Sequence, residues 1–252
     1  MNLSELIKRL ARLFGYNLVR RPEHFMQDKS DGTQEGHLVA LLAKLEVDLV
    51  LDVGANNGQY AKGIRRAGYA GPIISFEPAP EPFAKLRKAS EKDPDWKAVQ
   101  AALGSASGVG QLNLARASAL NSFLAPNEYA LTMKNWLKGK WETIETIDVP
   151  IRTLDEVLAE SSASRVFLKM DTQGFDLEVL AGAGGSLDRI HGLQSEISVV
   201  QTYEKMPDYV DALGTYRHLG FQPTGLFPVW RRESLEVVEF DCIMRRVDNT
   251  PS

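Results

Sequence analysis

Residues 49–60 read LVLDVGANNGQY. The apolar run ends in an acid, Asp52, and breaks at Gly54, which predicts a buried strand that delivers the chain into a tight turn. The helical pattern from Gln59 to Gly68 predicts the helix that follows. Strand, glycine turn and helix form the opening unit of a parallel sheet covered on both faces. Glycines at 54 and 58 let the backbone approach a ligand closely, and the helix start offers N–H groups without intrahelical partners. Asn56 and Asn57 fill the middle of the loop, so it is not the G-x-G-x-x-G dinucleotide fingerprint. Taken alone, the turn also fits a purely structural strand-to-helix connection.

Working outward, the same alternation continues. IISFEP (73–78) predicts a second strand, 81–91 a helix, and 96–102 a third strand followed by the turn LGSASGVG. A helix at 153–159 opens with Thr153 and Glu156 at capping-box spacing. Residues 165–171 predict a fourth strand, 175–181 a helix, 192–200 a fifth strand and 207–219 a helix, and the chain closes with an antiparallel hairpin. Residues 111–151 interrupt this rhythm with a short strand pair, QLNLA and TIDVPI, around a polar and aromatic stretch containing Trp136 and Trp141. They are read as a lid or insertion on the sheet, where substrate selectivity would reside. No repeat or linker divides the chain, so one domain over 46–247 with a helical extension over 1–45 is expected.

Composition narrows the class without naming a chemistry. The 252 residues are 44% hydrophobic and 25% charged, and 29 Lys and Arg against 33 Asp and Glu leave a formal charge of −4. No chain-wide basic surface recommends nucleic acid as a partner. A single cysteine, Cys242, forms no internal disulfide, and no apolar run reaches the roughly 18 residues of a membrane span, so a cytoplasmic protein is expected. In the first segment Leu3, Leu6, Ile7, Leu10, Leu13 and Phe14 make an apolar stripe beside Lys8, Arg9 and Arg12. Packing on the chain's own core is the expected use of that stripe, with contact to a membrane surface or to a second copy as the alternatives.

In an open parallel sheet, ligands bind at the carboxyl ends of the strands. Glu77 ends the second strand about 20 residues beyond the glycine turn, the position from which an acid reaches ribose hydroxyls. Asp171 ends the fourth strand over the same edge. Glu196 lies inside the fifth strand, where a buried carboxylate is costly unless paired or functional. An ion pair with Lys169 is its structural alternative.

DVGANNGQY, FEPAPEPFAKL, LGSASG, TLDEVL, LKMDTQGFDLEVLAGA and QSEIS with a tyrosine soon after, in that order between about Leu49 and Phe221, resemble the FkbM family of S-adenosylmethionine-dependent O-methyltransferases. The resemblance implies an α/β class I methyltransferase (Rossmann-like) fold, a seven-stranded, mostly parallel sheet with its last strand antiparallel. It also implies methyl transfer to a hydroxyl of a sugar, glycolipid or other glycosylated natural product. Asp52, Gly54, Ala55, Asn56, Asn57, Gly58 and Tyr60 then fall on the cofactor loop, Glu77 and Pro78 at the ribose, Ala102 and Leu103 at the adenine, and Asp171 facing the transferred methyl. Asn121 and Ser122 resemble a serine-containing stretch near the family's active site. Tyr203, just past the fifth strand, is a further substrate-contact candidate.

An acceptor hydroxyl needs its proton removed or polarised and its oxygen aligned. Asp171 is expected to orient the acceptor or accept its proton, with Glu196 assisting. A magnesium ion held by the same two acids is the alternative. The four histidines fall away from predicted strand ends and are read as surface or capping residues. Two rivals stay open at this level: a nicotinamide-dependent oxidoreductase, and a methyltransferase-like fold kept as a binding or scaffold subunit.

Overall fold

In the computed structural model, which describes residues 33–133 and 137–247, the strand of the glycine turn sits at the centre of the sheet. The first segment with its basic helix, His24 and Trp136 lie outside the described residues. The elements run α1 (Gln34–Lys44), β1 (Leu49–Val53), α2 (Gln59–Arg66), β2 (Ile73–Phe76), α3 (Pro80–Ser90), β3 (Trp96–Val99), β4 (Ala102–Leu103) and β5 (Gly108–Ala115). They continue with α4 (Glu128–Thr132), β6 (Thr143–Arg152), α5 (Leu154–Ala159), β7 (Val166–Met170), α6 (Asp176–Ala181), β8 (Ile190–Ser198), α7 (Tyr209–His218), β9 (Phe221–Arg231) and β10 (Val237–Arg246). Seven strands form the main sheet in the order β3-β2-β1-β7-β8-β10-β9. The β3-β2-β1-β7-β8 pairings are parallel, whereas β10 runs antiparallel to both β8 and β9. The chain winds outward from β1 in one direction and then resumes on its other side, so the crevice between β1 and β7 is the switch point where ligands bind in such sheets.

Period-two alternation divides β1 between two apolar layers. Leu49, Leu51 and Val53 pack with Val157, Leu158, Val179 and Leu180 of α5 and α6 on one face. Val50 faces Leu38, Leu42 and Ile64 of α1 and α2 on the other. Both faces are therefore dry, as a central parallel strand requires. Helix α1, expected as part of an extension, is a working part of this cover: Leu38, Leu41 and Leu42 are buried, and Gln34 Nε2 donates to Asp241 Oδ2 on β10 at 2.6 Å.

Two sequence expectations change. The third strand stops at Val99, and Ala102 and Leu103 instead pair in parallel with Ile151 and Arg152 of β6 in a separate three-stranded sheet, β4-β6-β5. The strand pair in the insertion is also longer than QLNLA and TIDVPI, running antiparallel from Gly108 opposite Ile151 to Ala115 opposite Thr143. Long-range pairing with β6 draws β4 off the main sheet, and residue patterning in a two-residue strand carries no trace of that partner. The irregular part of the insertion contributes Ser118, Asn121, Ser122, Leu137 and Trp141 to the cleft at that crevice. There Ala130, Met133, Leu137 and Trp141 bury against Tyr203 and Met206.

At α5 the capping box is complete: Thr153 Oγ1 accepts from Glu156 N, and the Glu156 carboxylate accepts from Thr153 N. Thr153→Ala is expected to cost about 1 kcal/mol, read as a lower urea midpoint. An unchanged midpoint would take the cap out of the account of this helix.

Candidate active site

Gly54 and Asp171 end neighbouring strands, and their backbones meet. Gly54 has φ +74, and a Cβ added there would lie 2.0 Å from the Asp171 carbonyl oxygen. Only glycine allows that approach. The turn continues through Asn56 at φ 45 to Gly58 at φ 77, where a Cβ would press on the Trp96 ring at 2.8 Å. Glu77 clamps the turn to the start of α3, its Oε2 accepting from Asn56 N and its Oε1 from Ala79 N, each at 2.8 Å. Burial pushes this carboxyl up to about 7 against the opposing pull of the two N–H donors.

Beneath the turn lies a buried cation. Lys169 Nζ is 3.2 Å from Asp52 Oδ1, 3.5 Å from Asp171 Oδ2 and 3.2 Å from the Gly54 carbonyl oxygen, and it stands 5.4 Å over the Tyr60 ring. Burial opposes its charge, but the adjacent Asp52 and Asp171 outweigh burial and raise its pKa. The ion pair between Lys169 and Glu196, the structural alternative for that acid, does not form. Register explains why: Lys169 lies beside Asp52 on β1 and beside Gln194 on β8, two residues short of Glu196.

Glu196 meets Asp171 through Gln173. The Gln173 amide nitrogen donates to Asp171 Oδ1 at 3.2 Å and to Glu196 Oε2 at 3.0 Å. Tyr203 Oη lies 3.0 Å from Gln173 Oε1 and 2.9 Å from the Leu120 carbonyl, either of which accepts its one proton. Two carboxylates, which only accept, set the amide so that its NH₂ faces them and its oxygen faces Tyr203. Ser122 Oγ donates to the Gln173 carbonyl at 2.9 Å, tying the cap to the same residue. Below, the Asp176 carboxylate accepts from Thr172 N and Oγ1 and from Ser195 Oγ, which holds the Asp171–Gln173 turn in place. Burial, then Asp171, Glu239, Asp241 and Asp176, push the Glu196 carboxyl well above the usual range.

These groups surround a cleft of about 410 Å³. Of the residues named from sequence, Gly54, Asn56, Glu77, Pro78, Ala102, Leu103, Asn121, Ser122, Asp171 and Glu196 line it. Others are placed elsewhere. Asp52 is fully buried below the turn, where it accepts from Ser75 Oγ, because strand alternation points position 52 into the α1–α2 layer. Ala55 is core, Gly58 caps α2, and Tyr60 is the ring beneath Lys169. Asn57 opens onto a neighbouring shallow groove with Lys62 and Arg66. Tyr203 is a buried wall residue that acts on the cleft through Gln173. Gln173, Glu239 and Trp230 also line the cleft and were not singled out from sequence. Gln173 stood inside LKMDTQGF, and its signal is its left-handed φ of 54 before a glycine.

Magnesium does not fit this donor set. The NH₂ of Gln173, a donor, occupies the space between the two carboxylates where a cation would bridge them. Among the described residues no group of three or more His, Cys, Asp or Glu has metal-holding geometry.

The sheet order, the antiparallel last strand and a glycine turn at the switch point, with acids at the ends of β2 and β7, define a class I methyltransferase fold. The chain belongs to the methyltransferase FkbM domain family, which matches residues 52–223. It is similar to methyltransferase sdnD of Sordaria araneosa, 29% identical over 175 residues that cover 62% of this chain and 66% of the relative. The matched part thus spans just under two thirds of the relative's length. Among solved structures, the Burkholderia thailandensis 1,6-didemethyltoxoflavin-N1-methyltransferase, with bound 1,6-didemethyltoxoflavin and S-adenosylhomocysteine, is 10% identical with a TM-score of 0.42, over 98% of this chain and 92% of that one. Aeropyrum pernix fibrillarin, in complex with S-adenosyl-L-methionine, is 11% identical with a TM-score of 0.41, over 79% and 66%.

Proposed function

We propose that this methyltransferase uses S-adenosyl-L-methionine to methylate a hydroxyl of a sugar, glycolipid or other glycosylated natural product. The observation that carries the reading is the pair of carboxylates, Asp171 and Glu196, bridged by Gln173 beside the Gly54 turn. The residues fit this cofactor. Each Glu77 oxygen has accepted one N–H and keeps a second lone pair for a ribose hydroxyl. Asn56 is 8% exposed, and its Oδ1 has no partner among the described residues. When bound, S-adenosyl-L-methionine supplies an electrophilic methyl group on a cationic sulfonium.

The chain's own part is to position the acceptor and take its proton. Asp171 orients the acceptor hydroxyl, and Glu196, whose carboxyl is pushed up by burial and neighbouring acids, accepts the proton. Gln173 fixes the spacing of the two. Trp141 and Trp230 offer apolar faces for a sugar ring. A cytoplasmic location belongs to the same proposal. Among the described residues no helix is long and apolar enough to cross a membrane.

Cofactor binding has a pH signature. With Glu77 at about 7, the carboxylate that receives ribose hydroxyls is lost as pH falls through that value. Affinity for S-adenosylhomocysteine, measured by calorimetry, is expected to fall about tenfold from pH 8 to pH 6. In Glu77→Gln the affinity at pH 8 drops at least about tenfold and the profile flattens. An unchanged affinity in that variant removes the ribose role. Tighter binding of NADH than of S-adenosylhomocysteine would turn the reading toward an oxidoreductase. Labelled S-adenosylmethionine with a crude glycoside extract, and mass spectrometry of the labelled product, tests the transfer itself. Cofactor binding without any labelled product would favour a binding subunit.

A further inference from the structure

The methyl-transfer proposal leaves Glu239 unused, although it lines the cleft beside Glu196. On β10 and β8, Asp241 lies opposite Glu196 and Glu239 opposite Ser198. Glu196 and Glu239 are therefore diagonal neighbours on one face of an antiparallel pair, with Cα atoms about 7–8 Å apart. One small cation reaches both carboxylates from that spacing. Ser198 Oγ donates to Glu239 Oε1 at 3.1 Å and Gln173 to Glu196 Oε2. These bonds use Glu239 Oε1 and Glu196 Oε2. The third acid of the face, Asp241, is already engaged by Gln34 at 2.6 Å.

The charge balance of the cleft is one-sided. Glu77, Asp171, Glu196 and Glu239 line it, and none of its described lining residues is Lys, Arg or His. Lys169 is committed below to Asp52 and Asp171. The cofactor would bring a sulfonium, an ammonium and a carboxylate, a net single positive charge against four acids. Burial and the neighbouring acids push the Glu196 and Glu239 carboxyls up, the direction expected of groups lacking a cationic partner. A second, independent feature points to a ligand. Trp141 is 3% exposed and lines the same cleft, and its indole N–H has no acceptor among the described residues. That donor calls for an oxygen on the bound molecule, while Trp230 in the same wall offers a face suited to a cation.

We infer that the acceptor is an amino sugar or related amino alcohol, whose ammonium group sits between Glu196 and Glu239 while its hydroxyl is methylated. The inference rests on the methyl-transfer proposal and deepens it. Anionic acceptors, such as uronic acids or sugar phosphates reacting next to their charge, are repelled by the same wall.

The test uses the full chain, labelled S-adenosylmethionine and a glycoside extract separated by ion exchange into cationic, neutral and anionic fractions. Label is expected in the cationic fraction at least tenfold above the others. N-acetylation of that fraction, which removes the charge without touching the protein, is expected to lower labelling at least tenfold. In Glu239→Gln the preference for the cationic fraction over the neutral one is expected to fall by a similar factor. Label chiefly in the neutral or anionic fraction, or labelling indifferent to N-acetylation, overturns the inference and leaves methyl transfer standing. Labelling of neutral glycosides that depends on added magnesium also overturns it. No label in any fraction, with S-adenosylhomocysteine still bound, removes both readings.

Discussion

Lys169→Met is expected to lower the free energy of unfolding by about 3–5 kcal/mol, the cost of removing one partner from a buried ion pair. Asp52, fully buried, would keep only the Ser75 hydroxyl as a donor among the described residues. Methionine retains most of the apolar stem, so the loss is electrostatic rather than a cavity. The Gly54 carbonyl loses its contact at 3.2 Å and Asp171 its cation, so affinity for S-adenosylhomocysteine should fall together with stability. Chemical denaturation measures the first effect and calorimetry the second. A stability change below about 1 kcal/mol would mean that the lysine is not what holds Asp52 and the turn in place.

Glu196→Gln is expected to lower kcat by about 10²–10⁴, the usual worth of a positioned general base. Glutamine keeps the size and still accepts from Gln173, so binding of S-adenosylhomocysteine should change little. The sign of the pH dependence follows from burial among Asp171, Glu239, Asp241 and Asp176, which raises the Glu196 pKa. The basic form is lost as pH falls through that raised value, so wild-type kcat climbs with pH and then levels. In the variant this ascending limb disappears. If kcat stays within about threefold of wild type, or the limb persists, the proton goes elsewhere, and Asp171 is the remaining carboxylate at the reacting end of the cleft.

Much of the arrangement was legible from residue order. Gly54, Glu77 and Asp171 sit at strand ends because each apolar run stops there, and stops of that kind are local. The capping box of Thr153 and Glu156 is equally local, and it formed as its spacing predicts. Asp52 misled for a simple reason. It belongs to the strand rather than to the loop, and alternation sends its side chain into the layer below. Local pattern runs Ala102 on from the third strand and puts Leu103 in the turn after it, but their partner, β6, lies almost fifty residues further on. Gln173 escaped notice because a glutamine has no distinctive chemistry until two carboxylates are brought to either side of its amide.

Sequence by itself determined a parallel sheet with a glycine turn and acids at its strand ends, because period, turn chemistry and strand termini are short-range properties, and the ordered run of motifs that resembles the FkbM family added the methyltransferase class. Tertiary structure alone decided which acids meet. Register places Lys169 beside Asp52 instead of Glu196, and the antiparallel return of β10 sets Glu239 diagonal to Glu196. A one-sided acidic cleft is a product of those long-range pairings, which no local pattern encodes.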